Sequence, residues 1–224
     1  MKKLFFALLV ACAMNASAQE ETKTKKLEAG KFRIALNGGF SRLLAKTAES
    51  VGAENKDYVS ALKSGINYGV DGAYFVSNVI GVGLKFNQFR SSHTGSLTEG
   101  SISISNVQTD LVYTFIGPTF GTKFGSANNK HLFVFTSAVG YMGYWSHNGF
   151  VKTTGATVGS ALDLGYDYNI TKQFAIGTQI SFVGGTLGNV TYTTNGGSST
   201  KQLDKNNRES MARMDISFGA RFNF

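Results

Sequence analysis

From residue 31 onward, apolar and polar side chains alternate with a period of two, in runs separated by alternately long and short polar segments. Period two is that of a β-strand, whose successive side chains point to opposite faces. The first run, 31–40, sets Phe32, Ile34, Leu36 and Phe40 against Arg33, Ala35, Asn37 and Gly39. A polar stretch, 41–64, follows, with Tyr58 and Leu62 in a short helical pattern. The second run then sets Ile66, Tyr68, Val70, Tyr74 and Val76 against Asn67, Gly69, Asp71 and Ala73.

Ser77-Asn78 forms a tight turn into a third strand over 79–89, and a Ser/Thr/Gly-rich connection over 90–106 leads to a fourth over 110–124. In the fourth strand Leu111, Tyr113 and Phe115 share one phase and Phe120 and Phe124 the other, so a β-bulge is expected at Ile116-Gly117-Pro118, where the only proline sits. A turn at 125–130, a fifth strand at 131–145, a loop at 146–156 and a sixth strand at 158–168 come next. After a turn at 169–172 come a seventh strand at 173–183, a long loop at 184–209 and a last strand at 213–224. The pattern predicts eight strands joined by three short turns and four long loops in strict alternation.

Which face is apolar decides the architecture. A soluble sandwich fills its interior with bulky side chains, whereas here the face opposite the large apolar residues carries Gly, Ala, Ser, Asn and single charges. That suits the narrow interior of an eight-stranded barrel whose outer wall meets lipid. Only 16% of residues are charged, below the ~25% of an ordinary soluble domain, in keeping with a surface that does not face only water. No stretch after residue 18 approaches the ~18 apolar residues of a spanning helix, and a closed barrel is the other way to satisfy backbone groups in lipid. The expected fold is an all-β, eight-stranded antiparallel up-and-down transmembrane barrel with short periplasmic turns and long external loops. Aromatic residues gather near strand ends, at Tyr68, Tyr74, Phe86, Phe133, Phe135, Tyr166, Tyr168, Phe222 and Phe224. They fit interfacial girdles, with hydrophobic-core packing as the alternative.

Residues 1–18 read as a secretory signal: Lys2 and Lys3, an apolar run to Ala13, and Ala16-Ser17-Ala18 as the cleavage site, with the cut after Ala18. Leu9-Val10-Ala11-Cys12 also fits a lipoprotein box, which would make Cys12 an acylated first residue. Cleavage after Ala18 removes the only cysteine and leaves no disulfide chemistry. Loss of Lys2 and Lys3 from 22 basic residues leaves 20 against 14 acidic, a formal +6, suited to anionic headgroups or simply to a solvated mixed surface. Residues 19–30 read as a flexible periplasmic leader and 31–224 as the barrel domain.

The last residues, Ile216-Ser217-Phe218-Gly219-Ala220-Arg221-Phe222-Asn223-Phe224, resemble the terminal signal by which bacterial barrels are recognised for outer-membrane insertion. Together with Tyr68-Gly69-Val70-Asp71-Gly72-Ala73-Tyr74-Phe75, Ile116-Gly117-Pro118-Thr119-Phe120 and Gly140-Tyr141-Met142-Gly143-Tyr144, they make the chain similar to the small outer-membrane β-barrel domain family of Bacteroidetes, related in fold to OmpA- and OmpX-type barrels. The resemblance implies a bacterial outer-membrane location and Ile216, Phe218, Phe222 and Phe224 as an insertion signal. The implied partners are the barrel-assembly machinery, outer-membrane lipid and lipopolysaccharide. It names no activity, since the family is defined by its barrel.

The candidate functional residues are charges on the inward face: Arg33, Lys85, Lys123, Arg213 and Arg221 against Asp71, Asp163, Asp167 and Asp215. Unpaired buried charges are costly, so these should pair across the lumen, either filling it or gating a narrow pore. His93, His131 and His147 have no metal-ligand spacing, and no cofactor is implied. Ser146-His147 could serve a lipid A-modifying enzyme, but adjacent residues of a strand point to opposite faces. The glycine pairs at 184–185 and 196–197 do not lead into a phosphate-binding helix, and the basic stretch 201–208 lacks the interleaved aromatics of a nucleic-acid site. The expected function is a non-enzymatic envelope or surface-loop role with an unknown surface ligand, and a small solute channel or ligand-binding barrel as the alternative.

Overall fold

The computed structural model describes residues 30–45, 51–100, 102–126, 130–204 and 208–224. The signal peptide with Cys12 and the Ala18 cleavage site, most of the leader, and the centre of the turn at 127–129 lie outside the described residues. Eight long strands form one antiparallel ring: β1 (Phe32–Leu43), β2 (Ser64–Phe75), β3 (Ile80–Glu99), β4 (Ile102–Gly125), β5 (His131–His147), β6 (Lys152–Asn169), β7 (Phe174–Leu187) and β11 (Arg213–Asn223). Between β7 and β11 the chain adds a hairpin, β8 (Asn189–Thr194) and β9 (Gly197–Gln202), and a short β10 (Glu209–Ser210). β11 closes the ring by pairing with both β1 and β7, and Phe32 and Phe224 exchange backbone hydrogen bonds of 3.0 and 2.9 Å at the seam.

The register sets the dimensions. Paired residues run from Phe32 through Tyr74, Val82, Phe120, Ser137, Leu162, Phe182 and Met214 back to β1 at Arg42, ten residues further along. With strands about 4.8 Å apart and about 3.3 Å per residue, that shift tilts the strands roughly 40° and makes the backbone cylinder roughly 16 Å across. A level circle therefore lags the paired row by about 1.25 residues per strand. The circle through Phe32 meets Tyr74, Ile80, Phe124, Phe133, Tyr168, Phe174 and Phe222, an almost wholly aromatic ring at the turn end. Neighbouring rings touch, with Phe32 to Tyr74 at 4.8 Å and Phe174 to Phe222 at 5.5 Å between centroids.

Two expected loops are largely strand, and a third, 184–209, holds the β8–β9 hairpin and β10. The Ser/Thr/Gly-rich segment at 90–106 continues β3 and β4 into one long hairpin, and 146–156 shortens to a tight connection between His147 and Lys152. Hydroxyl-bearing side chains suit exposed paired strands as well as they suit loops, so composition alone does not separate the two. The expected bulge at Ile116-Gly117-Pro118 is also absent: β4 keeps one register against β3 and β5 on either side of it. Pro118 faces outward between the two ladders, and the β4–β5 pairing lapses only at Gly117 and Pro118, where a proline has no N–H to give. The real irregularity lies higher, between Gly95 and Leu97 of β3, where Asn106 of β4 is the extra residue with φ of 60°.

The expected short helix is present as α1 (Lys56–Leu62), which braces this hairpin. The buried Tyr58 hydroxyl donates to Thr109 Oγ1 at 2.7 Å and to the Val107 carbonyl at 3.0 Å, and its ring meets His93 edge-on at 5.1 Å. Asn55 acts like one more strand residue, exchanging hydrogen bonds of 2.7 and 2.9 Å with the backbone of Thr98. Tyr58→Phe is expected to cost about 1 kcal/mol locally, seen as faster amide exchange at Val107 and Thr109 while the barrel strands keep their protection.

Candidate functional site

The ring of eight strands leaves an interior about two side chains wide, so each inward residue has to be matched by a gap opposite. Gly177 is one such gap. A Cβ there would lie 2.3 Å from Asp167 Oδ1 and 3.2 Å from Arg221 Nε, so glycine makes room for the ion cluster around Asp167.

That cluster sits nearest the turn end. Asp167, fully buried, accepts Nε and Nη2 of Arg33 at 3.0 and 2.6 Å on one oxygen and Nε of Arg221 at 3.0 Å on the other. Arg221 also donates to the Leu36 carbonyl at 3.1 Å. In the middle layer Lys85 Nζ bridges Asp71 and Asp163 at 3.2 and 3.1 Å. Asn37 and Gln179 donate to Asp71 at 2.9 and 3.2 Å, and Thr136 to Asp163 at 2.9 Å. In the third layer Arg213 Nε meets Asp215 at 3.2 Å, its Nη2 donates to Asn87, and Ser41 donates to Asp215 at 2.6 Å. All nine lumen charges read from the sequence therefore face inward, and eight of them fall into three ion-paired groups.

Lys123 is the ninth. Among the described residues it has no carboxylate partner, and its ammonium lies 3.8 Å from the centre of the Phe75 ring instead. A ring face offers a desolvated cation partial compensation through its quadrupole. The five cations against four carboxylates leave the lumen one positive charge in excess, held at the turn end.

From the third layer upward the interior changes character, contrary to the small, polar filling expected from the sequence, and Arg213 itself lies 5.9 Å from the centre of the Phe89 ring. Phe89, Tyr113, Phe115, Met142, Val183, Leu187 and Met211 form a buried apolar cluster at the loop end, with Leu43, Leu111 and Val190 around it. Tyr113 lies 5.6 Å from Phe89 and 5.5 Å from Tyr144 between ring centres. Leu111, Tyr113 and Phe115, which the expected bulge would turn outward, point inward because the alternation runs unbroken to Lys123. The signal is present in the parity, since all four positions are odd-numbered on one strand.

At the ionic level the lumen holds little free space. The cavity among Arg33, Asp71, Thr119, Asp163 and Gln179 has a volume of about 20 Å³, room for a water or two and too little for a hydrated ion. Partners that sequence reading did not single out, Ser41, Asn87, Thr136 and Gln179, take up further polar valences, while Asn37 Oδ1, Arg213 Nη1 and Arg221 Nη2 are buried with no hydrogen-bond partner among the described residues. His131 Nδ1 lies 2.8 Å from the Tyr166 hydroxyl at the turn end, His93 packs on Tyr58, and His147 lies opposite Asp110 on β4. Among the described residues no three His, Cys, Asp or Glu side chains converge as metal ligands, and no helix is long and apolar enough to cross a membrane. Of the C-terminal residues, Ile216, Phe218 and Phe224 are exposed on the outer wall, and Phe222 is half-buried against Phe174.

No protein-family model and no curated protein matches the chain. Three solved structures share the architecture. Neisserial surface protein A superposes with a TM-score of 0.51 at 14% identity, over 88% of this chain and 99% of its own. The outer membrane protein OprG from Pseudomonas aeruginosa gives 0.52 at 13%, over 87% and 97%. A major outer membrane protein from Thermus thermophilus gives 0.56 at 10%, over 88% and 100%. At these identities the likeness speaks for the fold, and it agrees with the register: the chain folds as an eight-stranded barrel of the kind found in bacterial outer membranes.

Proposed function

We propose that this chain is an exported, non-enzymatic barrel of the bacterial outer membrane, of the small Bacteroidetes type, whose lumen is a structural plug and whose work is done at its loop end. The filled interior supports the reading: three ion-paired layers and an apolar cluster occupy the lumen, and the cavity at the ionic level measures about 20 Å³. The outer wall is apolar between its two ends, with exposed Leu36, Phe40, Leu84, Phe120, Leu164 and Phe218, which only a lipid environment makes tolerable. In this reading the turn end is periplasmic. Ile216, Phe218, Phe222 and Phe224 form the strand edge that the barrel-assembly machinery takes up, and outer-membrane lipid and lipopolysaccharide surround the wall.

Outside the membrane stand two braced hairpins, β3–β4 with α1 and the Thr/Ser-rich β8–β9. Braced strands carrying exposed tips suit an envelope protein that meets surface ligands. The non-enzymatic assignment rests on the order of side chains. Ser146 and His147 point to opposite faces of β5, and along the outer row Asp110 of β4 lies between Ser92 of β3 and His147. A serine relay needs the imidazole between hydroxyl and carboxylate, not the carboxylate in the middle.

In planar bilayers the chain is expected to give no unitary conductance. Conductance that disappears when Arg213 or Asp215 is neutralised would replace the plug with a gated channel. Membrane fractionation with heat-modifiable gel migration tests the location itself, and soluble periplasmic material with no migration shift would overturn it.

A further inference from the structure

Two arginines stand on the outer wall, where an outer-membrane barrel faces lipid. Arg42 is outward on β1 and Arg90 outward on β3, both exposed. Their heights follow from the register. Arg90 shares a paired row with Ile66 and Phe40, and the tilt lifts that row by about 2.5 residues over two strands, level with Arg42. The backbone positions of the two arginines therefore flank Ile66 at one height, roughly 11 Å apart across the 16 Å cylinder, within reach of one another's long side chains.

That height is the upper edge of the lipid band. The aromatic ring at Phe32 and the level of Arg42 are ten residues apart on β1. At about 3.3 Å per residue and roughly 40° of tilt the separation is roughly 25 Å, the height of the apolar band of such barrels. Charged headgroups begin there.

Both side chains are held by neighbours that are not carboxylates. Arg42 Nη1 donates to Ser64 Oγ at 3.0 Å. Arg90 Nε donates to Gln88 Oε1 at 2.9 Å, and its guanidinium lies 5.7 Å from the centre of the Tyr68 ring. Gln88 is fixed in turn by the Tyr68 hydroxyl, which donates to it, and by its own donation to Thr114 Oγ1 at 2.9 Å. Asp110, two residues beyond the position paired with Arg90, accepts from Gln108 at 3.2 and 3.3 Å. Among the described residues neither arginine has an ion-pair partner.

Beneath Arg42 the wall is hollowed. A shallow depression, open to the outside, of about 460 Å³ runs across β11, β1 and β2, edged by Phe40, Ile66, Met214 and Ile216 with Arg42 and Ser64 at its head. Its apolar edges suit an acyl chain. A planar guanidinium presents a fork of donors that matches phosphate oxygens two at a time.

We propose that Arg42 and Arg90, with the depression below them, form a binding site for a phosphorylated outer-leaflet lipid, its phosphate between the two guanidinium groups and an acyl chain in the depression. The site rests on the outer-membrane reading. It adds that this face of the barrel selects its lipid neighbours by phosphate, beyond the general snorkelling of cations at an interface.

The experiment reconstitutes the full chain in vesicles of a phosphate-free galactolipid doped with a phosphomonoester glycolipid or with its enzymatically dephosphorylated form. Retained lipid is counted by native mass spectrometry after extraction into mild detergent. The wild-type chain is expected to retain the phosphorylated form about tenfold over the other, and Arg42→Gln with Arg90→Gln to abolish that preference. Lys201→Gln, which removes a cation from exposed β9, should leave it intact. Equal retention of both lipids by the wild-type chain overturns the site without need of any variant. So does a preference that survives the double substitution, or one that Lys201→Gln removes equally. Heat-modifiable migration reports folding in every sample: a wild-type chain that never inserts defeats the outer-membrane reading and the site with it, whereas an inserted barrel without preference defeats the site alone.

Discussion

Replacing Asp167 with Asn is expected to lower the unfolding free energy by about 3–5 kcal/mol, measured from the urea midpoint of heat-modifiable migration in detergent. Asp167 is the single acceptor that Arg33 and Arg221 share, and all three side chains are almost fully buried. Its neutralisation leaves two guanidinium groups in a narrow interior, Arg221 with the Leu36 and Ala220 carbonyls as acceptors and Arg33 without another carboxylate among the described residues. The magnitude comes from that stranding, since an intact buried pair often contributes little net stability over an apolar one. The triple variant Asp167→Leu, Arg33→Met, Arg221→Met should therefore recover most of the loss. A loss under about 1 kcal/mol for the single variant would mean that water reaches the cluster and screens it.

Gly140→Val should be comparably damaging for a steric reason. A Cβ on Gly140 would lie 2.2 Å from the Ile116 carbonyl oxygen and 2.5 Å from Gly117 Cα. Both are backbone atoms of β4, so relief requires β4 and β5 to separate in the middle of their ladder, next to the gap that Pro118 already leaves. Overpacking of this kind costs about 3 kcal/mol, and the folded band is expected to shift to a lower urea midpoint. Gly72→Val makes the matched control: no atom lies within 4 Å of its would-be Cβ, and its midpoint should move little. Equal behaviour of the two variants would show that strand propensity, and not this close approach, sets the tolerance for side chains in the barrel.

The alternation around Asp163 and Asp167 on β6, or Arg213, Asp215 and Arg221 on β11, is legible because period two converts position directly into face. Reading β4 fails for an instructive reason. Aromatic residues inside a barrel conflict with the expectation of a small, polar lumen, and a bulge beside the only proline is the simpler account of them. The unbroken register shows that Tyr113 and Phe115 belong to a plug, for which Gly117 on the same face and Gly140 across from it make room. Likewise the Ser/Thr-rich tips read as loops because nothing local distinguishes a solvated strand from a solvated coil. Tyr58 and Asn55, distant in sequence, supply the distinction by bracing β3 and β4.

The sequence by itself determined the number of strands in the ring, the apolar outer wall, the inward set of charges and the closing role of the last strand. All of these depend only on the two-residue repeat and on where it is interrupted. The tertiary structure alone decided which carboxylate meets which cation, the change from ionic to apolar filling along the axis, and the common height of Arg42 and Arg90. Each of these depends on the ten-residue shift around the ring. The physical reason is that a strand's own pattern fixes a side chain's face but not its height relative to strands far away in sequence. Height is set when β11 pairs with β1, a closure that no local segment contains.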